Sequence, residues 1–202
     1  MQLRQPIVTV LGHVDHGKTT LLDSIRKTAI AAKEAGGITQ AIGTTEIPLE
    51  TVKSICGPII EKFKFDITLP GLLFIDTPGH EAFTTLRRRG GSIADFAIIV
   101  VDIIEGIMPQ TKESIEILKE TKTPFVIAVN KIDRISGWTT HDESFLKNVN
   151  EQRKDVLESF ESAFYNIVNQ FYNLGFSVDR FDRIQDFTKT VAAVPASSKT
   201  GE

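Results

Sequence analysis

The sequence predicts an α/β fold, a doubly wound and mostly parallel sheet with helices on both faces. Three observations predict it. Several short apolar runs show no alternation of polar and apolar residues, which is typical of parallel strands buried on both faces. Stretches with helical spacing separate these runs. Glycine or a polar residue follows the apolar stretch at Gly12, Asp76 and Asn130, and ligands bind at that end of the strands in such sheets.

The size and charge of the chain limit the kind of protein it can be. Its 202 residues suit one domain, and the single Cys56 excludes an intramolecular disulfide. No signal peptide and no long uncharged apolar segment is visible, so we expect a monomeric cytoplasmic protein without membrane association. The net charge of -3 gives no bulk attraction for nucleic acid. We therefore expect no DNA partner and only local RNA contacts, for which Arg87–Arg89 is the best candidate.

The N-terminal half alternates predicted strands and helices. After a polar lead-in at residues 1–5, Ile7–Leu11 predicts a strand and Lys18–Lys27 a helix. Ala31–Thr45 contains glycines and threonines without a sustained period, so it predicts a mobile loop. Three weaker elements follow, namely an edge strand, a short helical turn ended by Gly57-Pro58, and a partly exposed strand, at Glu46–Leu49, Thr51–Cys56 and Ile59–Leu69.

The C-terminal half repeats this alternation and contains an insertion. Further strands are predicted at Leu72–Asp76, Phe96–Asp102, Phe125–Asn130 and Thr190–Pro195, and helices at His80–Gly90 and Gln110–Thr121. The stretch from about 134 to 187 is long for a connection. Apolar residues between Val156 and Phe171 recur there at helical spacing and Gly175 follows, so one long helix with irregular flanks is predicted. We interpret its aromatic stripe as core packing rather than as a face that binds a partner.

A glycine-framed loop follows the first predicted strand and leads into the first helix. Gly12–Thr19 matches the pattern G-x-x-x-x-G-K-[ST]. Backbone N–H groups at a helix start lack intrahelical partners and converge on one point, which is a site for an anion. Gly12 and Gly17 permit the backbone angles and the close approach. Lys18 would reach the β- and γ-phosphates of a nucleotide, and the Thr19 hydroxyl would ligate Mg²⁺.

A second motif, Asn130-Lys131-Ile132-Asp133, follows a later strand and addresses the base. The Asp133 carboxylate can accept hydrogen bonds from guanine N1–H and the 2-amino group together, while the Asn130 amide addresses the N7 and O6 side. Adenine offers a lone pair at N1 and no 2-amino donor, so this site would reject it. The stem of Lys131 can lie along the face of the base. The motif therefore predicts guanine rather than adenine specificity.

A third motif, Asp76-Thr77-Pro78-Gly79, ends another strand on the phosphate side. Asp76 can hold Mg²⁺ through a water, and Gly79 leaves its N–H free to approach a γ-phosphate. His80 follows directly. An imidazole beside the glycine that contacts the γ-phosphate can orient or polarise an attacking water, so His80 is the candidate catalytic residue.

These motifs together resemble those of the translational GTPases, whose fold is that of a P-loop NTPase. Five segments that span nearly the whole chain carry the resemblance: Gly12–Thr19, Gly36–Gln40, Asp76–Glu81, Asn130–Asp133 and Ser197–Lys199. The Gly-Gly-Ile-Thr-Gln form of the second segment is most similar to the translation initiation factor two and five B family. The long segment after Asp133 resembles the archaeal and eukaryotic five B branch.

The resemblance implies further contacts to the nucleotide and its ions. It implies that Thr39 joins Thr19 and Asp76 in holding Mg²⁺, and that Thr20 contacts the α-phosphate. It links Asp15 to a monovalent cation near the phosphates. The phosphate loop of the family binds nucleotide with residues that match Asp15, His16 and Gly17.

The resemblance also implies the surroundings of the catalytic group and of the base. His80 matches the catalytic histidine of the family, and Val14 and Ile38 match the apolar pair that flanks it. Ser197-Ser198-Lys199 matches the usual Ser-Ala-Lys with one added hydroxyl. The contact to guanine O6 in that motif comes from a backbone N–H, so the change should be tolerated.

The function expected from the resemblance is a GTPase of translation initiation. It would bind GTP with Mg²⁺ and hydrolyse it to GDP and phosphate on the ribosome, near large-subunit RNA, to couple subunit joining to factor release. The family continues into further domains, through which initiator tRNA would be bound, so we expect residues 1–202 to be the N-terminal GTP-binding domain of a longer factor. Two alternatives stay open: a nucleotide-gated ribosome-binding module with incidental hydrolysis, and another translational GTPase such as an elongation factor.

Overall fold

The structure is a computed structural model that describes residues 4–31, 40–41, 44–63, 67–75, 94–141 and 144–202. Eight strands form one sheet in the order β2-β3-β4-β1-β5-β6-β8-β7. In chain order they are β1 Ile7–Gly12, β2 Gln40–Ala41, β3 Thr44–Pro48, β4 Gly71–Ile75, β5 Phe96–Asp102, β6 Phe125–Asn130, β7 Val178–Arg180 and β8 Val191–Pro195. Pairings that involve β2 and β3 are antiparallel, and the pairings among the remaining strands are parallel. The predicted fold class is confirmed.

Helices cover both faces of this sheet. In the described residues they are α1 Lys18–Ala31, α2 Leu49–Phe63, α3 Pro109–Thr121, α4 Phe145–Glu151 and α5 Lys154–Asn173, with a 3-10 helix at Ile132–Arg134. None of them is long and apolar enough to span a membrane, in so far as the structure describes them.

The central strands are buried on both faces, as their unbroken apolar runs predict. Ile99 and Val101 of β5 lie in the larger core, which includes residues of α3 and α5, whereas Val100 lies in the smaller core with Leu22 of α1. All three residues of β5 are fully buried. The two cores thus occupy opposite faces of one sheet.

The strand order reverses at β1. Its parallel neighbours are β4 on one side and β5 on the other, with Val8 in register with Phe74 and Phe96. Connections that leave the sheet in opposite directions at such a point open a crevice beyond the carboxyl ends of the strands. The loop after β1 starts at this crevice, which places the predicted phosphate loop there.

Several element predictions in the first half are wrong. The predicted mobile loop Ala31–Thr45 contains β2 and the start of β3, and 32–39 and 42–43 lie outside the described residues. The predicted edge strand is internal, because Gln40 of β2 pairs with Thr45 on the outer side of β3. The predicted turn and strand within 51–69 form the single helix α2, which continues through Gly57-Pro58 and reaches Phe63. Its Val52 packs on the smaller core, so burial of the helix face outweighs the local preference for a break.

Of the other element predictions, some agree closely with the structure and others lie outside the described residues. Helix α1 extends past the predicted Lys27 to Ala31. The predicted helix His80–Gly90 and the run Arg87–Arg89 lie outside the described residues. Strands β5 and β6 have the predicted bounds.

The insertion between 134 and 187 contains more elements than the one helix predicted. The predicted aromatic stripe forms α5, where Phe160, Phe164 and Phe171 are fully buried, so the interpretation as core packing is confirmed. Helix α4 and strand β7 were not predicted. Strand β7 extends the sheet by pairing in parallel with β8, Val178 opposite Val191.

Candidate functional site

Two glycines of the phosphate loop lie where a side chain would collide with the sheet. Gly12 has φ +142°, and a Cβ there would lie 2.3 Å from the Val100 carbonyl oxygen of β5. Gly17 has φ +92°, and a Cβ there would lie 2.4 Å from Nδ2 of Asn130. The loop thus packs directly on β5, the neighbour of β1 in the sheet, and on Asn130 of the motif predicted to contact the base. The first and last glycines of the pattern are required by these contacts as well as by their backbone angles.

The start of α1 has the form of an anion site. The Leu21 N–H donates to the Gly17 carbonyl at 2.8 Å, and the N–H groups before it have no carbonyl within the helix. Nζ of Lys18 donates to the carbonyls of Gly12 at 2.9 Å and His13 at 2.7 Å. The ammonium group is therefore folded over the loop in which a phosphate would lie.

Asn130 joins the predicted phosphate loop to the segments predicted to contact the base. This fully buried side chain donates from Nδ2 to the His16 carbonyl at 2.8 Å. Its Oδ1 accepts from the Ser198 N–H at 3.0 Å and from the Ser198 hydroxyl at 2.9 Å. Ser24 of α1 donates its hydroxyl to the Ser198 carbonyl at 2.9 Å. Three segments that are far apart in the sequence are thereby brought together at one end of the sheet.

Asp133 lies beside the third of these segments. The Ser197 hydroxyl donates to Asp133 Oδ1 at 2.6 Å, and Oδ2 makes no hydrogen bond with the part of the chain that the structure describes. One carboxylate oxygen is thus fixed by the protein while acceptor capacity is left for a ligand. Ser197 is fully buried, whereas Lys199 is exposed.

Asp102, at the end of β5, is a charged centre that the sequence interpretation missed. It is fully buried and accepts from the Ile104 N–H at 2.8 Å, with Nζ of Lys131 at 3.0 Å and Nη1 of Arg134 at 2.6 Å. Burial alone raises the pKa of this carboxyl, but the bonds from Ile104, Lys131 and the Glu105 N–H bring it below its ordinary value. Asp102 therefore stays ionised and holds Lys131 in place. Lys131 has φ 64° and lies near Gly17. The contact of its stem with the base stays a prediction.

His16 points into the protein rather than at the nucleotide position. Its side chain is fully buried, with Nδ1 3.4 Å from both the Val100 carbonyl oxygen and the Asp102 nitrogen. Nε2 lies 3.3 Å from Glu105 Oε2 but makes no hydrogen bond within the described structure. Burial lowers the pKa of the imidazole, against opposing effects of Val100, Asp102 and Glu105. Any contribution of His16 to nucleotide binding is thus through its backbone.

Gln110, in the first turn of α3, is a further contact of the phosphate loop that the sequence did not reveal. Its Oε1 lies 2.8 Å from Nδ1 of His13 and accepts from the Val14 N–H at 3.3 Å. Helix α3 is in this way joined to the same loop that α1 follows. The Val14 side chain is 54% exposed, which suits the apolar contact implied by the resemblance.

The residues implied for Mg²⁺ are only partly described. Thr19 is exposed at the start of α1, as is Thr20. Hydroxyl and carboxylate oxygens are the donors that Mg²⁺ prefers, so the set Thr19, Thr39 and Asp76 fits this ion by its chemistry. Thr39 and Asp76 lie outside the described residues.

Other predicted site residues are likewise divided. Ile38, Gly79 and His80 lie outside the described residues. Asp15, linked by resemblance to a monovalent cation, is exposed with φ 65°, a left-handed conformation that aspartate tolerates.

A family model described as the elongation factor Tu GTP binding domain matches residues 3–202. The chain is 61% identical over 201 residues to the probable translation initiation factor IF-2 of Methanopyrus kandleri, a match that covers 99% of this chain and 34% of that protein. It thus spans about a third of the length of the curated relatives it matches.

Solved structures of other proteins also match this chain over its whole length. The crystal structure of GDP-bound aIF5B from Aeropyrum pernix is 55% identical with a TM-score of 0.93, covering 100% of this chain and 34% of that one. The apo form of translation elongation factor SelB from Methanococcus maripaludis is 21% identical with a TM-score of 0.52, covering 100% of this chain and 31% of that one. The second likeness concerns the fold alone.

Proposed function

The chain belongs to the family of elongation factor Tu GTP-binding domains, and from that premise we propose that it binds and hydrolyses GTP as part of a translation initiation factor. The resemblance to the initiation factor two and five B family is confirmed by the 61% identity to a probable initiation factor. Since that match covers 34% of the relative, we propose residues 1–202 as the N-terminal GTP-binding domain of a longer factor, with 134–187 as its helical insertion.

The hydrogen bonds of Asn130 are the observation that carries the proposal. They connect the His16 carbonyl of the phosphate loop at 2.8 Å with the Ser198 N–H of the base-side loop at 3.0 Å. A nucleotide needs its base and its phosphates recognised at a fixed separation, and one buried amide sets that separation here. The second Nδ2 hydrogen of Asn130 remains for a base acceptor such as guanine N7.

Guanine recognition is assigned to the residues around Asp133. Its carboxylate accepts from N1–H and the 2-amino group, while the stem of Lys131 lies along the ring. Ser197, Ser198 and Lys199 form the loop whose backbone N–H contacts O6. Asp15, His16, Gly17, Lys18, Thr19 and Thr20 bind the phosphates.

Hydrolysis is assigned to residues on the phosphate side. Bound Mg²⁺, held by Thr19, Thr39 and Asp76, would neutralise charge on the phosphate oxygens. Lys18 and the N–H of Gly79 stabilise the charge that develops on the γ-phosphate. His80, flanked by Val14 and Ile38, orients the attacking water. A monovalent cation beside Asp15 would add to the same electrostatic stabilisation.

The partner we propose is the ribosome, with large-subunit RNA near the segments that carry Thr39 and His80. Hydrolysis there would couple subunit joining to factor release. Initiator tRNA would be bound by domains outside these residues. We propose a cytoplasmic, monomeric protein, in agreement with the expectation from its composition.

Calorimetric titration of the nucleotide-free chain with GDP, GTP and ADP tests the binding proposal. We expect both guanine nucleotides to bind and ADP not to bind. Asn130→Ala should weaken GDP binding by at least about tenfold, because both halves of the site lose their link. Asn150→Ala is the matched control, since Asn150 is exposed and, within the described ranges of the chain, its side chain donates only to the Leu146 carbonyl of its own helix. Equal binding of ADP and GDP would overturn the proposal.

Single-turnover GTP cleavage with and without ribosomes tests the catalytic proposal. A rate that ribosomes raise by orders of magnitude supports a ribosome-stimulated GTPase. Ribosome binding that depends on GTP without any such rise would instead support a nucleotide-gated binding module.

A further inference from the structure

Glu202 connects the base-side loop to the insertion. Its carboxylate oxygen Oε2 accepts from Nε1 of Trp138 at 3.1 Å and from the Thr140 hydroxyl at 2.9 Å. Its backbone carbonyl accepts from the Ser197 N–H at 2.8 Å. The same Ser197 donates its hydroxyl to Asp133. A single residue thus joins two residues of the insertion to the segment that faces the base.

Trp138 is itself fixed by the core of the insertion. Its ring is stacked on Phe145 with a centroid distance of 6.2 Å and an interplanar angle of 3°, and lies 5.3 Å from the ring of Phe160. Phe145 and Phe160 are buried residues of α4 and α5. The indole N–H therefore has a defined position, set by helices that take no direct part in the nucleotide motifs.

One oxygen of the half-buried Glu202 carboxylate is shielded from water. Its Oε1 is buried and has no hydrogen-bond partner in the residues that the structure describes. The side-chain donors to this carboxylate there are Trp138 and Thr140, and both bind Oε2. Hydrogen bonds in such surroundings are electrostatically stronger than in water. Loss of either donor should let the carboxylate turn toward solvent. The backbone of Glu202, which is bonded to Ser197, should then also shift.

We propose that Trp138 and Thr140 are positioning residues for the guanine base, acting through Glu202 on the loop Ser197–Gly201. This role rests on the guanine-nucleotide binding proposed above. The loop is closed by bonds from the Gly201 N–H to the Ser197 carbonyl at 2.9 Å and from the Thr200 N–H to the Ser197 hydroxyl at 3.2 Å. Without its anchor, the loop would have to be ordered by the nucleotide, and part of the binding free energy would be lost.

The predicted effect is specific to one side of the base. The loop supplies the backbone N–H for guanine O6, whereas N1–H and the 2-amino group are bound by Asp133. 6-Thioguanosine diphosphate keeps those two donors and replaces O6 with sulfur, a weak acceptor. It already lacks most of the contact that the anchor secures, so a displaced loop should cost it less than GDP.

Calorimetric titration of the 202-residue chain with GDP and with 6-thioguanosine diphosphate tests this role. We expect Trp138→Phe and Thr140→Val each to weaken GDP binding by about fivefold to tenfold, which is part of the effect of one hydrogen bond to a charged group because these residues act on the base only through the loop. We expect 6-thioguanosine diphosphate binding to weaken by less than about twofold. Trp138→Phe keeps an aromatic ring against Phe145. Thr140→Val replaces a hydroxyl with a methyl group of similar size, and serves alone if the other variant fails to fold.

Matched controls separate this role from a general effect on the fold. Tyr165→Phe removes an exposed hydroxyl that accepts from Arg183, and Thr188→Val removes an exposed hydroxyl that donates to Asp186. Both should bind GDP as the wild type does. In a Glu202→Ala background, Trp138→Phe should cause no further loss, because the two residues act in one chain of contacts.

Two results would overturn the role of Trp138 and Thr140. One is wild-type affinity for GDP in both variants. The other is an equal loss for GDP and for 6-thioguanosine diphosphate, which indicates general loosening of the domain. Failure of the wild-type chain to bind any guanine nucleotide is a different outcome, since it contradicts the proposed function itself.

Discussion

At the scale of single residues, Asp133 is the group on which the proposed guanine specificity depends. Asp133→Asn loses one of the two acceptors for N1–H and the 2-amino group and places a donor against that amino group. Each charge-assisted hydrogen bond contributes roughly 1.5–3 kcal/mol, so GTP binding should fall steeply. Xanthine carries an oxygen in place of the amino group, and the new amide can donate to it. The variant should therefore prefer xanthosine triphosphate.

Competition of the two triphosphates for the wild type and for Asp133→Asn measures this preference. Asp155→Asn is a suitable control, because Asp155 is exposed and pairs with Arg153 far from the motifs. An unchanged preference of Asp133→Asn for GTP would show that this carboxylate does not contact the base.

His16 predicts a pH dependence of stability. Its pKa in the folded chain is below the ordinary value of 6.5 because the imidazole is buried. The unfolded chain therefore takes up a proton that the folded chain does not as the pH falls below about 6.5. The free energy of unfolding should be constant above that pH and should decrease below it, by at most about 1.4 kcal/mol per pH unit. His16→Gln should reduce this decrease.

Urea unfolding of the nucleotide-free chain at pH 7.5 and 5.5 measures the effect, with the exposed His141→Gln as control. Asp102 does not interfere, because its lowered pKa places its loss of stability below about pH 3.8. The same decrease in wild type and His16→Gln would contradict the assignment.

The residues of the site show what a sequence can and cannot reveal. Lys18, Asn130 and Asp133 were found because they stand in motifs at strand ends, where geometry alone brings them together. Asp102 also ends a strand, yet it belongs to none of those motifs and was missed. The contact between Gln110 and His13 could not be predicted from the sequence, since it depends on how α3 packs against the sheet.

At the scale of elements, the insertion depends on the packing of α5. Phe160 is fully buried and lies against Phe145, Phe164 and Trp138. Phe160→Ala should lower the free energy of unfolding by about 3–5 kcal/mol through lost burial and the cavity left behind. Tyr172→Ala, on the same helix but 74% exposed, should change it by less than about 1 kcal/mol. Urea unfolding of both variants measures the difference, and equal losses would show that the aromatic stripe is not a core.

Secondary-structure elements were predicted correctly where the sequence shows one clear pattern of apolar residues. Strands β5 and β6 are long apolar runs with polar ends, and their bounds were predicted as the structure has them. Strand β7 has three residues, Val178–Arg180, too few to show any period. In α2 the dipeptide Gly57-Pro58 suggested an end to the helix, but packing of its apolar face on the sheet overrides this local preference.

At the scale of the whole molecule, hydrolysis should depend on the ribosome. His80→Ala in the complete factor should leave GTP binding within a few fold but lower ribosome-stimulated hydrolysis by on the order of 10²-fold, the effect of losing a positioned proton or water partner. Because nucleotide binding is proposed to use other residues, titration should show nearly unchanged GTP binding, while single-turnover cleavage should show the loss of hydrolysis. Stimulated hydrolysis at the normal rate in this variant would show that His80 is not the catalytic residue.

The place of Trp138 has an optical consequence. It is the one tryptophan among the 202 residues. Its indole N–H is bonded to the carboxylate of Glu202, which follows the loop proposed to contact the base. Indole emission shifts in colour and intensity with the polarity and hydrogen bonding around the ring. Trp138 is thus an intrinsic fluorescent probe at the junction between the insertion and the proposed nucleotide site, so movement of that junction can be followed in the unlabelled protein.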